Sequence, residues 1–334
     1  MQQKRKAITA VAVASVVLLT AARWLWPAQS GGYAVVLCAA VAAVLALFVL
    51  CGKQRRELVL TGGVPCSLLA GAAMVCGVAL AVFSAENAMG WLLRGEHPYP
   101  QPSTVTVITQ LVTAVLAASG IAGGVFLVTV AQRWLREGQT NRHANAAAAL
   151  LPVVWTWARL LWYMTSFTSA VNRFRSVLEV AVLVLEMLFL LAFARYVSGV
   201  EEQPPRFTVS VALSTAVLGL IVCFTRLGAW LGQNAALFAD TAPVTVADWG
   251  VALLAAAFAV SQLFPAPLPE ELSITDEDDE DILPEGVLLH EEFWLADTPP
   301  ADEEEEYEEL SDEERRPMEL EDVINSMIAD KIEK

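Results

Sequence analysis

Three residues stand where a charge is hard to keep. Arg159, Glu179 and Glu186 lie inside long apolar runs, and an ionisable side chain in hydrocarbon costs about 2.5–3.5 kcal/mol on insertion scales. Side chains retained in such places pair with one another, line a polar path or meet a substrate. Glu179 and Glu186 are seven residues apart, which on a helix is two turns along one face and roughly 10 Å. Arg159 belongs to the preceding run, and the two runs fold back on each other near Asn172. Counting outward equally from that turn brings Arg159 and Glu186 to nearly the same depth, close to the midplane, and predicts a buried ion pair. Arg173 and Arg175, near the turn, stand at the same outer end as candidate partners for Glu179.

That arrangement supports three readings. In the first, Arg159 and Glu186 neutralise each other and fix the register of a helical hairpin. In the second, Glu179 and Glu186 line a path for a proton or cation, with Arg159 as gate or counter-ion. In the third, Trp155, Trp157, Trp162 and Tyr163 form a substrate pocket beside the charges. Aromatic residues at such positions more often pack or face lipid.

The elements that must position these residues are membrane helices. The chain is 56% hydrophobic and only 17% charged, with a mean hydropathy of +0.51; soluble domains carry about a quarter charged residues. A bilayer core needs about 20 mainly apolar residues per helix, because every backbone polar group must be bonded internally. Eight runs qualify: 7–24, 33–51, 63–83, 105–131, 146–163, 177–196, 208–224 and 246–264. The fifth is the least apolar, since it holds Pro152 and Arg159. The first has the basic start of a signal peptide (Lys4, Arg5, Lys6), but Arg23-Trp24-Leu25-Trp26 follows where a small-residue cleavage site belongs. It reads as an uncleaved helix with tryptophans at the far interface. Gly120 and Gly124, four apart in the fourth run, have the spacing that lets two helix backbones approach.

Basic residues orient the bundle. With eight spans and a cytoplasmic start, the inner segments hold eleven Lys and Arg and the outer segments five: Arg23, Arg94, Arg173, Arg175 and Arg226. Retention of basic residues in the cytoplasm favours this arrangement, with both termini inside. Omitting the fifth run would move Arg195, Arg206 and the C-terminus outside. Two outer loops are longer, and each is expected to carry a short interfacial helix, around Trp91 and Trp230. No internal repeat of the kind that builds inverted-repeat transporters is visible.

Charge divides the chain at Phe264. Up to that residue there are 17 Lys and Arg against 10 Asp and Glu, a net of +7; from Pro265 onward there are 4 against 27, a net of −23. The tail, 265–334, is expected to be mostly disordered, because like-charge runs repel and cannot bury a core. Within it, Leu320, Ile324, Met327 and Ile328 fall at helical spacing, so 318–332 reads as a short amphipathic helix able to fold on a cytoplasmic protein partner. The sign of the charge opposes nucleic-acid binding.

Several chemistries are disfavoured. No two of the five cysteines form a Cys-x-x-Cys pair, and His97, His143 and His290 are scattered, so no metal or cofactor is expected. Glu201-Glu202 followed by Arg206 matches a motif of intramembrane proteases, but Pro204 and Pro205 interrupt it and no histidine lies on a later span. Signatures of familiar hydrolases, ATPases and nucleotide-binding enzymes are absent, so a non-enzyme is expected.

Trp155-Thr156-Trp157-Ala158-Arg159, then Leu178-Glu179, then the stretch 188–195 ending in Arg195 resemble a segment of uncharacterised multi-helix membrane proteins from clostridial and related Gram-positive bacteria. The resemblance covers the fifth and sixth spans. It implies a bacterial plasma membrane and carries no activity. The sequence as a whole predicts an all-α, polytopic transmembrane bundle of about eight spans (1–264) with an acidic tail. Its expected role is a membrane scaffold or regulator that engages a cytoplasmic partner through the tail. The alternative is a small permease or proton/cation pathway built on Arg159, Glu179 and Glu186.

Overall fold

The computed structural model describes residues 2–26, 30–52, 66–94, 107–137, 144–166, 174, 176–200, 206–232 and 244–264. The chain divides into one unit over Met1–Ser273 and another over Ile274–Lys334. The tail, with Leu320, Ile324, Met327 and Ile328, lies outside the described residues, as do the three histidines, Arg173 and Arg175.

The described residues form helices and no strands: α1 (Gln2–Leu25), α2 (Tyr33–Gly52), α3 (Cys66–Met89), α4 (Val107–Glu137), α5 (Ala146–Ala149), α6 (Leu151–Ser166), α7 (Val177–Val197), α8 (Arg206–Leu231) and α9 (Val246–Leu263). Eight helical stretches are long and apolar enough to cross a membrane, α5 and α6 together making the fifth. The α5/α6 junction is local chemistry. The Asn145 side chain accepts from the Ala147 N–H at 3.0 Å and caps α5. Pro152, in the first turn of α6, has no N–H to contribute there, so the helix restarts rather than ends.

Helix α8 is the hub, packing against α1, α2, α7 and α9, while α3 packs between α4 and α9 and α6 bridges α4 to α7. Burial follows this order. In α8, 78% of the apolar window is buried, against 22% in α1 and in α2, whose outward Val17, Leu18, Val35 and Leu45 are exposed. That apolar outer face is what a lipid solvent demands.

Helices α3 and α4 meet with backbones almost touching. A Cβ placed on Gly77 would stand 2.7 Å from the Gly124 carbonyl, and one on Gly124 would stand 2.5 Å from that of Gly77. Gly120 faces Ser84 of α3 in the same seam, so both glycines of the spaced pair do mark a helix contact. At the other end of the bundle α7 terminates at Gly199, whose φ of 73° reverses the chain in the left-handed conformation that favours glycine.

The two expected interfacial helices stand differently. Around Trp91 the chain forms a π-helical turn, Gly90–Arg94, continuing α3. Trp230 itself belongs to α8, which runs on to Leu231, and residues 233–243 of that loop lie outside the described residues. Seven more residues than the apolar run reach past Phe224, and they include Arg226, which has a partner inside the bundle.

Candidate functional site

A line of charged side chains runs through the bundle interior, carried on the buried face of α7. That face reads Glu179, Val182, Leu183, Glu186, Phe189, Leu190, Phe193, a helical stripe that turns inward all along the helix. Its first half is acidic and its second half is aromatic.

At the head of α7, Glu179 meets two guanidinium groups from helices that run the opposite way. Arg23 Nη2, at the end of α1, donates to Glu179 Oε1 at 2.5 Å. Arg226 Nη2, near the end of α8, stands 4.0 Å from the same oxygen. The Arg23 and Glu179 side chains are 1% and 3% exposed, while Arg226 keeps 22% of its surface. Arg23 also lies over the Tyr33 ring, 5.7 Å from its centre. The sequence had placed Arg23 in an outer segment and offered Arg173 and Arg175 to Glu179; the buried partner is Arg23.

Deeper in, Arg159 of α6 forms a fork with Asp248 of α9. Nη1 donates to Oδ1, and Nη2 donates to Oδ2 at 3.1 Å. Asp248 is held in place by its own helix. It is the third residue of the first turn, and its Oδ2 accepts from the Thr245 N–H at 2.6 Å and the Thr245 hydroxyl at 3.0 Å, the capping-box arrangement at the start of α9. The Trp155 ring lies beneath the guanidinium at 4.7 Å.

The expected Arg159–Glu186 pair is therefore not formed. Equal counting from the hairpin turn considered only α6 and α7. Helix α9 instead starts inside the packed bundle, with Thr245 and Asp248 buried, and presents a carboxylate already fixed by the backbone. A fork-shaped cation is matched best by such a rigid two-oxygen acceptor. Glu186 is left over. It is fully buried, and neither of its carboxyl oxygens has a hydrogen-bond partner. Asp248 and Arg159 are its charged neighbours, and the Cys76 and Cys223 thiols feel its charge.

Between the two ion pairs lies a cavity of about 20 Å³ lined by Glu179, Arg159, Asp248, Val182, Val222 and Cys223. A space of that size admits about one water molecule and no metabolite. The tryptophan pocket does not form. Trp155, Trp162 and Tyr163 are packed in the interior, and Trp157 is half exposed on the outer surface. A larger groove, about 420 Å³, runs along α3 past Met74, Val78, Val82 and Glu86 to Val246; it shares no lining residue with the charged line.

Past Glu186 the polar line stops. Phe189 and Phe193 of α7 pack on Phe258 of α9 at 6.0 Å each, Tyr196 packs on Phe258 at 5.3 Å, and Trp134 of α4 meets Phe193 at 6.2 Å.

Sequence reasoning found Arg159, Glu179 and Glu186 and missed Asp248, Arg23 and Arg226. Asp248 had a readable signal, the Thr245-x-x-Asp248 spacing at a helix start. The two arginines sit at the ends of apolar runs, where basic residues ordinarily mark interfaces, and no local signal turns them inward. Cys38, Cys51, Cys76 and Cys223 are free thiols, and no group of three His, Cys, Asp or Glu among the described residues is placed to hold a metal ion. The chain matches no family model, no curated protein and no solved structure, so its function is read from this line of charges.

Proposed function

We propose that the protein is a small permease of a bacterial plasma membrane that moves a proton or small cation along Glu179, Asp248 and Glu186. One observation carries the reading: Glu186 sits at the centre of a membrane bundle with no donor for either oxygen. A structural ion pair neutralises itself. An unpaired carboxyl in hydrocarbon exists at tolerable cost only when a proton or cation sits on it. Arg159 acts as the fixed counter-charge that holds Asp248. The distribution of Lys and Arg, eleven inside against five outside, supports cytoplasmic termini, with the Glu179 end outside. The test is flux in vesicles holding the purified full-length protein. Glu186→Gln abolishes uptake while the protein elutes and melts as wild type; equal flux from both proteins overturns the proposal.

A second reading has its own observation, the net charge of −23 over 265–334 with apolar residues at helical spacing in 318–332. There the protein is a scaffold or regulator whose tail folds on a cytoplasmic partner. Removing 318–334 would then abolish partner capture and leave the bundle intact, whereas Glu186→Gln would change nothing.

A further inference from the structure

We infer that the species carried is the proton, bound one at a time on Glu186, which exchanges with the Glu179 side of the bundle while the aromatic cluster around Phe258 closes the other side. This rests on the transport reading above and narrows it.

The surroundings of Glu186 suit a proton better than a metal cation. The titratable and charged groups within its electrostatic reach are the Arg159 guanidinium from α6, the Asp248 carboxylate from α9, the Cys223 thiol from α8 and the Cys76 thiol from α3. On its own helix the nearest acid is Glu179, two turns away, and α5 contributes only alanines. Sodium or potassium needs a shell of several oxygens in place of its hydration water. Around Glu186 the charged neighbours are one guanidinium and one carboxylate, and that carboxylate is already engaged by Arg159 and Thr245, so no such set of free oxygens is gathered. A proton needs one oxygen and no shell.

Charge balance makes the step reversible. The line holds three guanidinium groups (Arg23, Arg226, Arg159) and three carboxyls (Glu179, Asp248, Glu186). With Glu186 ionised the set is neutral; with Glu186 protonated it has one positive charge in excess. The ionised form is attracted by Arg159, repelled by Asp248 and lacks hydrogen bonds, and the protonated form avoids burying a bare carboxylate.

The path has one open end. From Glu186 toward Glu179 lie Asp248, the cavity of about 20 Å³ and the second carboxylate, one of whose oxygens (Oε2) has no hydrogen-bond partner. In the other direction Phe189 follows within one turn, and four further rings pack beyond it. A constriction of rings excludes water and breaks the proton wire in this arrangement, so net transfer requires the rings to part after Glu186 has taken up its proton.

The test uses the full-length protein in lipid vesicles and two measurements. Infrared difference spectra across a pH titration are expected to contain the carbonyl band of a protonated carboxyl that is lost in Glu186→Gln and kept in Glu186→Asp. Vesicles loaded with a pH dye, driven by a potassium-diffusion potential, are expected to acidify at a rate that is the same with and without sodium, and Phe258→Ala is expected to gain a passive leak. A band that survives Glu186→Gln overturns the inference, and so does flux that appears only with sodium, which leaves the transport reading standing. A band that behaves as expected with no flux of either ion overturns the transport reading instead.

Discussion

Replacing Glu186 and replacing Asp248 should have very unequal consequences for stability, and the contrast decides which carboxyl Arg159 holds. Asp248 accepts two hydrogen bonds from Arg159 and two from Thr245, and both members of the ion pair are at most 6% exposed. Breaking a buried pair by removing one partner costs about 3–5 kcal/mol. Loss of a helix cap costs about 0.5–2 kcal/mol. Because Oδ2 serves both interactions the two losses overlap rather than add. For Asp248→Ala a loss of about 4 kcal/mol follows. Glu186→Gln removes no hydrogen bond and substitutes a neutral group of the same shape, so the change stays within about 0.5 kcal/mol and has either sign. The assay is reversible unfolding in mixed micelles on titration with a denaturing detergent, followed by tryptophan fluorescence. The double variant Arg159→Leu/Asp248→Ala should recover about 2 kcal/mol or more relative to the sum of the singles. If Glu186→Gln destabilises as much as Asp248→Ala, Arg159 is paired with Glu186 after all, and the reasoning from the capped carboxylate is wrong.

Further outcomes follow from the same geometry. Glu179→Gln withdraws the carboxylate from a nearly inaccessible Arg23 and should cost about 3 kcal/mol, whereas Arg226→Gln, at 4.0 Å and partly exposed, should cost under about 1 kcal/mol; unfolding titrations of the two variants check the order. Gly124→Val forces a side chain against the Gly77 carbonyl and should lose about 2 kcal/mol or more, while Gly71→Ala, with open space around it, should stay neutral or gain slightly; thermal melts in detergent distinguish them. Phe258→Ala empties the centre of the aromatic cluster and should cost about 3–5 kcal/mol, read as a lowered midpoint in the same melts.

How much of this was legible in the sequence depends on the range of the interaction. The helices were legible because lipid imposes one rule on every residue of a span, and apolar runs of sufficient length need no partner to be recognised. The Gly120/Gly124 contact was legible because small residues at that spacing act by permitting an approach from either side. Arg159, Glu179 and Glu186 were legible as misfits among apolar neighbours. Their partners were not. Arg23 and Glu179 are 156 positions apart, and Arg159 and Asp248 are 89 apart, so only the packing of α1 and α9 around α7 and α8 decides who meets whom. The depth argument for Arg159 and Glu186 failed because a third helix, starting inside the bundle, supplied a better-organised acceptor. What set Glu186 apart from the other two was the absence of a hydrogen-bond partner, and no sequence pattern carries that.

The most direct measurement is the initial rate of ion uptake, taken side by side, for vesicles containing wild type, Glu186→Asp and Glu186→Gln at matched protein content. Retained uptake with the shorter acid and none with the amide is the predicted result. Uptake that is equal in all three, or absent in all three while the protein is folded and inserted, would contradict a carrier role for this carboxyl.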